Sequence, residues 1–147
     1  MARRTSERER VLSLIALDAT AVMKRLSERN EQMVLLFSRE RDRNALLSPL
    51  RSWLMTARFP EIALLLPEQQ VAVQEFYERL DALAWYFRYT NDMPGTVAES
   101  FALHLRALDA SYHRLRHGLG PQRYPVVEAP RSSSRPPPRR RRGAAGG

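Results

Sequence analysis

Residues 67–90, PEQQVAVQEFYERLDALAWYFRYT, decide the fold of this chain. They start as a helix starts: Pro67 suits the first helical position, where its missing N–H costs no hydrogen bond, and Glu68 suits the positive end of the helix dipole. Apolar side chains then recur every three or four residues, which places them on one face of an α-helix. That face consists of Val73, Phe76, Leu80, Leu83 and Phe87. The stretch therefore predicts a long helix with one buried side.

The last turns of this helix carry more aromatic surface than one neighbouring helix covers. Trp85, Tyr86 and Tyr89 point in several directions around the axis, and Arg88 lies among them. Large apolar rings with a polar tip are typical of protein cores and of interface hot spots. Stacking of nucleic-acid bases beside the arginine is the weaker alternative. We therefore predict that these four residues form a protein interface. Its partner is another protein or a second copy of this chain, which would make a homodimer.

The N-terminal part of the chain predicts one long helix over residues 6–41. Ser6 and Glu9 have the spacing of a capping box, and neither Gly nor Pro occurs before Pro49. The apolar stripe consists of Leu12, Ile15, Ala19, Val22, Leu26, Met33 and Leu36. The stretch 27–30 leaves open whether this is one helix or two. A stripe of this length is typical of a bundle spine, with an intermolecular coiled coil as the alternative.

A second helix is predicted over residues 48–58, because Ser48 is a good N-cap and Pro49 suits the first turn. Its buried face would be Leu50, Trp53, Leu54 and Ala57. Phe59 precedes a proline and should end it. The apolar residues 61–66 have room for only a short helical turn.

A further helix is predicted over residues 96–117, with Thr96 and Glu99 as its capping box and Gly118 just beyond its end. Its stripe consists of Val97, Phe101, Leu105, Leu108, Tyr112 and Leu115. The short turn 91–95 should join it to the preceding helix as an antiparallel hairpin. The fold class is therefore all-α: a small helical bundle of four main helices, the first one long, within residues 1–120.

Residues 121–147 are predicted to be a disordered tail rich in proline and arginine, since their composition offers almost nothing to bury. The tail contributes +6 of the formal net charge of +8, because it holds seven arginines and one glutamate. Such a cluster binds DNA, RNA or an anionic surface weakly and without reading sequence. The arginines expected to make these contacts are Arg131, Arg135, Arg139, Arg140, Arg141 and Arg142. A purely solubilising tail is the alternative.

Catalytic and metal-binding motifs are not evident. The chain has no cysteine and neither a nucleophile elbow nor a glycine-rich phosphate loop, so we expect no enzyme activity and no cofactor. Asp109, His113 and His117 have helical metal-ligand spacing, but neighbouring arginines would repel a cation, and no metal site is expected. The apolar run 11–23 is short and contains Asp18, so it predicts neither a membrane span nor a secretory signal, and a cytoplasmic location is the expectation.

The sequence thus favours a non-enzymatic helical interaction module, an adaptor or scaffold that self-associates, whose basic tail adds nonspecific anionic contacts. The alternative hypothesis is a nucleic-acid-associated protein that binds DNA or RNA through the tail. A helical enzyme or metal carrier using His113 and His117 is the third hypothesis.

Overall fold

A computed structural model describes residues 2–56 and 60–120 of the chain. Within these residues there are five α-helices and no strand, so the predicted all-α bundle with a long first helix is confirmed. The helices are α1 (Ala2–Glu40), α2 (Asn44–Leu47), α3 (Trp53–Thr56), α4 (Pro67–Tyr89) and α5 (Pro94–Leu119). Two 3-10 turns, Ser48–Leu50 and Pro60–Leu64, lie between α1 and α4. The predicted disorder of residues 121–147 and the predicted helix end at 57–58 lie outside the described residues.

The first helix, α1, is a single uninterrupted helix of 39 residues, which answers the question left open at 27–30. The predicted stripe faces the core: Ile15, Ala19, Val22, Leu26 and Met33 are buried, and Leu12 and Leu36 are half-buried. The capping box at Ser6 and Glu9 is wrong, because the helix already begins at Ala2. The chain leaves the helix at Arg41, whose φ of 54° lies in the left-handed region.

The prediction of one continuous helix over residues 48–58 is wrong, because a 3-10 turn and a separate short helix lie there. The backbone is extended at Arg51, with ψ of 132°, between the first 3-10 turn and α3. An arginine of α1 binds the chain at this break: Arg25 Nε donates to the carbonyl oxygen of Pro49 at 3.0 Å, and its Nη2 donates to that of Arg51. Because these carbonyl groups find partners outside their own segment, the chain loses nothing by leaving the helix there.

The short helix α3 also exposes a side chain that was predicted to be buried. Leu50 and Leu54 are buried as expected, but Trp53 is 51% exposed. The turn predicted over 61–66 is confirmed as the 3-10 turn Pro60–Leu64. The connection from α1 to α4 thus crosses the bundle as short turns and not as one helix.

The predicted antiparallel hairpin of α4 and α5 is confirmed. Ring centroids of Phe76 and Tyr112 lie 6.1 Å apart, and those of Phe87 and Phe101 lie 5.1 Å apart. The start of α4 therefore meets the end of α5, and the end of α4 meets the start of α5. All five apolar residues predicted for the buried face of α4 are buried.

Both ends of α5 lie two residues outside the prediction. The helix begins with Pro94 in its first turn, so Thr96 lies inside it and the capping box with Glu99 is wrong. It ends at Leu119, and Gly120, with φ of 76°, takes the left-handed position that was expected of Gly118.

The long helix α1 packs along this hairpin. Thr20 Oγ1 and Tyr112 Oη are 2.8 Å apart and share a hydrogen bond between α1 and α5. Arg8 Nε donates to the carbonyl oxygen of Leu64 at 2.9 Å, which holds the second 3-10 turn against the start of α1. In the part of the chain that the structure describes, no helix combines the length and the apolar character that crossing a membrane requires.

Candidate functional site

The outer face of α4, which we define as Glu78, Ala82, Trp85 and Tyr89, points away from the core. Trp85 and Tyr89 flank the buried Phe87 at two residues on either side, about 200° around the helix from it. Their side chains are 62% and 58% exposed. The two rings contact each other in a tilted pair with centroids 4.5 Å apart. Two of the predicted interface residues therefore form one continuous exposed aromatic surface.

Tyr86, a third predicted interface residue, lies in the hairpin and not on the outer face. Its hydroxyl donates to Asp92 Oδ2 at 2.8 Å, and its ring stacks on the imidazole of His104 with centroids 5.4 Å apart. Burial lowers the pKa of His104, so the neutral imidazole is favoured in this stack. Tyr86 therefore joins α4 to the turn after it and to α5.

Two opposite charges border the outer face on the same edge. Asp81 and Arg88 are both exposed, and their separation of seven residues is nearly two helical turns, so they lie one above the other. Within residues 2–56 and 60–120 neither side chain forms an ion pair. Glu75 differs, because Arg114 of α5 donates to it and lowers its pKa, with Arg79 3.7 Å away.

The C-terminal end of α4 is held by an arginine from the chain after α1. Arg43 Nη1 donates to the carbonyl oxygens of Phe87 and Arg88 at 2.9 and 3.1 Å, and its Nη2 donates to that of Thr90 at 2.7 Å. These carbonyl groups have no partner inside the helix, and a cation is favoured at this negative end of the dipole. Arg43 therefore fixes the turn that carries Trp85 and Tyr89. No sequence pattern pointed to this residue.

A second polar cluster, around Asp18, joins α1, α3 and α4. Asp18 Oδ2 accepts hydrogen bonds from Ser52 Oγ and Tyr77 Oη, both at 2.6 Å, and Oδ1 accepts one from Trp53 N at 3.0 Å. Burial and the hydrogen bond to Asp18 raise the pKa of Tyr77, so its hydroxyl remains a donor. Both oxygens of the carboxylate accept hydrogen bonds from the protein, so Asp18 has a structural role: it links the three helices. The only sequence signal for it was an acid within an otherwise apolar run.

An apolar groove of about 580 Å³ separates α1 from the first half of α5. Val34 and Leu35 line it from α1, and Ala98, Phe101 and Leu105 line it from α5. It lies in the part of the bundle where the end of α1 passes the start of α5. Its walls are mainly aliphatic and do not select an occupant.

The residues considered for a metal site do not come together as one. Asp109 Oδ2 and His113 Nε2 lie 3.4 Å apart as an exposed pair on α5. In residues 2–56 and 60–120 there is no group of three acidic or histidine side chains that could hold an ion. The tail arginines Arg131, Arg135, Arg139, Arg140, Arg141 and Arg142 lie outside the described residues.

Comparison with known proteins found no matching protein family, curated protein or solved structure. Function therefore has to be inferred from the surface of the bundle, where Trp85 and Tyr89 form an exposed aromatic pair on the outer face of α4.

Proposed function

We propose that this protein is a non-enzymatic helical interaction module, an adaptor or scaffold that self-associates through the outer face of α4. The observation that carries the proposal is the exposed pair of Trp85 and Tyr89 on a helix whose opposite face is fully packed. Exposed neighbouring aromatic rings are costly to leave in water, and Trp and Tyr are the residues that contribute most at interface centres. Arg43 holds the backbone of the last turn of α4, and Tyr86 joins the same turn to α5, so the rings are presented on a fixed support.

The charges around the rings favour a protein over a nucleic acid at this face. Glu78 belongs to the outer face and Asp81 lies on one edge of it beside Arg88, so carboxylates offset the positive charge around the rings. Phosphate groups would be repelled by these carboxylates. A protein surface, by contrast, can supply side chains of either sign opposite them.

The proposal predicts that the full chain self-associates and that Trp85→Ala weakens this strongly. Truncation of a central interface tryptophan costs about 2–4 kcal/mol, so the dissociation constant should rise by a factor of about thirty or more. Sedimentation velocity at a series of micromolar protein concentrations, after nuclease treatment, measures this. The matched control is Trp53→Ala, which removes the other exposed indole from a different part of the bundle. A wild-type chain that stays monomeric throughout this range and captures no protein in a pull-down would refute the proposal.

A second candidate function is nucleic-acid association through the tail. The observation that favours it is the block Arg139–Arg142 within a segment of net charge +6. Binding of duplex DNA should then fall steeply as salt is raised, because counterion release supplies the affinity, and it should disappear when residues 131–147 are deleted. Gel retardation at two salt concentrations tests this, and the absence of retardation at low salt would exclude it.

We also propose a cytoplasmic location on the sequence argument, which cell fractionation tests.

A further inference from the structure

The outer face of α4 has the pattern of a helix seam. Glu78, Ala82, Trp85 and Tyr89 are separated by four, three and four residues, which is the a/d spacing of a two-helix contact. The seam also alternates in size, since the small Ala82 lies one turn before the large Trp85. A partner helix running in the opposite direction can therefore fit its large residue against the small residue of the first.

The charges on the edge of this seam are self-complementary in the same arrangement. Asp81 and Arg88 lie on one edge of α4, and both side chains are exposed and without an ion pair in the described part of the chain. A two-fold axis between antiparallel helices brings the same edge of both copies together and reverses the order along it. Asp81 of one copy then faces Arg88 of the other, and the pair occurs twice. In a parallel arrangement, equal residues would face each other across the seam, and neither charge would find its opposite.

We propose that a second copy of this chain packs its α4 antiparallel against the outer face of α4, with the two-fold axis at the height of Ala84. This inference rests on the proposed function and adds its partner, symmetry and register. At that height the level of Trp85 along the helix axis differs by about 1.5 Å, one residue rise, from that of the partner's Ala82, and the level of Tyr89 differs by the same amount from that of the partner's Glu78. Arg88 lies equally close to the level of the partner's Asp81. The tyrosine hydroxyl can then donate to the carboxylate opposite it.

The contact covers about three helical turns of each copy, which is small for a protein interface. Contacts of this size belong to weak or transient complexes. The dimer should therefore assemble and dissociate readily at micromolar concentrations, which suits an adaptor whose association is controlled by its local concentration.

Charge exchange tests the pairing on the full-length chain. Arg88→Asp alone, or Asp81→Arg alone, places like charges opposite each other at two symmetric positions and should weaken self-association roughly ten-fold. The double variant Asp81→Arg/Arg88→Asp restores both pairs with reversed sign and should return the dissociation constant to near that of the wild type. Circular dichroism checks that helicity is unchanged, which is expected because both side chains are exposed. A double variant that remains as weak as the single variants overturns the inference.

A distance measurement tests the direction and register independently. The chain has no cysteine, so Val71→Cys provides a single site for a spin label at an exposed position. In the antiparallel arrangement the two labels are 26 residue rises apart along the axis, so their separation should be roughly 35–45 Å. A separation under roughly 25 Å indicates a parallel pair or another contact and overturns the inference. The proposed function, self-association through this module, is not contradicted by that result. A chain that remains monomeric overturns this inference, and the proposed function fails with it if the chain also captures no protein in the pull-down.

Discussion

Asp18 shows how much one side chain contributes to this bundle. A carboxylate within an apolar helix face is costly unless its oxygens are satisfied, and here Ser52, Trp53 and Tyr77 supply three hydrogen bonds from two other segments. Ser52 is itself buried. The residue therefore specifies where α3 begins and how α4 lies on α1.

We expect Asp18→Ala to lower the free energy of unfolding by about 2–4 kcal/mol, because it removes a carboxylate that accepts three hydrogen bonds in a desolvated place. Urea denaturation followed by circular dichroism measures this. Tyr77→Phe is the matched comparison: it removes one of these hydrogen bonds and leaves the carboxylate in place, so it should cost only about 1 kcal/mol. Equal losses in the two variants would show that Asp18 contributes no more than a single hydrogen bond.

The C-terminal end of helix α4 is stabilised by a residue that lies far away in the sequence. Its buried face forms the core of the hairpin, but the carbonyl groups of its last turn are satisfied by Arg43, which is 44 residues before Phe87 in the chain. The end of the helix that carries the exposed rings is therefore stabilised by tertiary contact, and loss of that contact should affect the interface before it affects the core.

Arg43→Met should fray the last turn of α4 and lower the free energy of unfolding by about 1–2 kcal/mol, since a charged donor to three carbonyl groups is lost. Amide hydrogen exchange should become faster at residues 86–90 and remain unchanged in the middle of α1. Arg106→Met, which removes an exposed arginine from the middle of α5, is the control and should change neither quantity. Self-association should weaken in the Arg43 variant alone, because the support of Trp85 and Tyr89 is lost.

At the scale of the whole molecule, acid should loosen the α4–α5 hairpin in two steps. The pKa of His104 is lowered in the folded state by burial, and the pKa of Glu75 is lowered by its hydrogen bond from Arg114. In both cases the unfolded chain binds more protons than the folded one, so the free energy of unfolding rises with pH and falls on acidification. The first loss starts as the pH falls through 6.5, the ordinary value for histidine, and the second as it falls through 4.5.

The measurement is the urea midpoint as a function of pH. His104→Phe keeps a flat ring against Tyr86. It should abolish the loss of stability that starts at pH 6.5 and leave in place the loss that starts at pH 4.5. Glu75→Gln should do the reverse. A wild-type profile that is flat between neutral pH and the range of carboxylate titration would contradict the role given to His104.

The fold class, the three long helices and their buried faces follow from the sequence by itself. Hydrophobic periodicity is a local property that survives any arrangement of neighbours, and so Val73, Phe76, Leu80, Leu83 and Phe87 could be placed in the core with no structure at all. The same periodicity indicated that Trp85 and Tyr89 have no place in that core. Helix ends were less predictable: Pro67 starts α4 as predicted, but Pro94, which was assigned to a turn, starts α5, and the capping boxes at Ser6 and Thr96 lie inside helices.

Only the tertiary structure decided what distant residues do to one another. Arg25 binds the break in the helix expected over 48–58, Asp18 starts α3, and Arg43 completes α4, because each satisfies backbone groups at least 24 residues away in the chain. The structure also separated Tyr86, which binds within the hairpin, from Trp85 and Tyr89, which face outward. A residue's sequence neighbours determine which way it points on its helix, but the partner that meets it there depends on how the whole chain closes, and no local pattern records that.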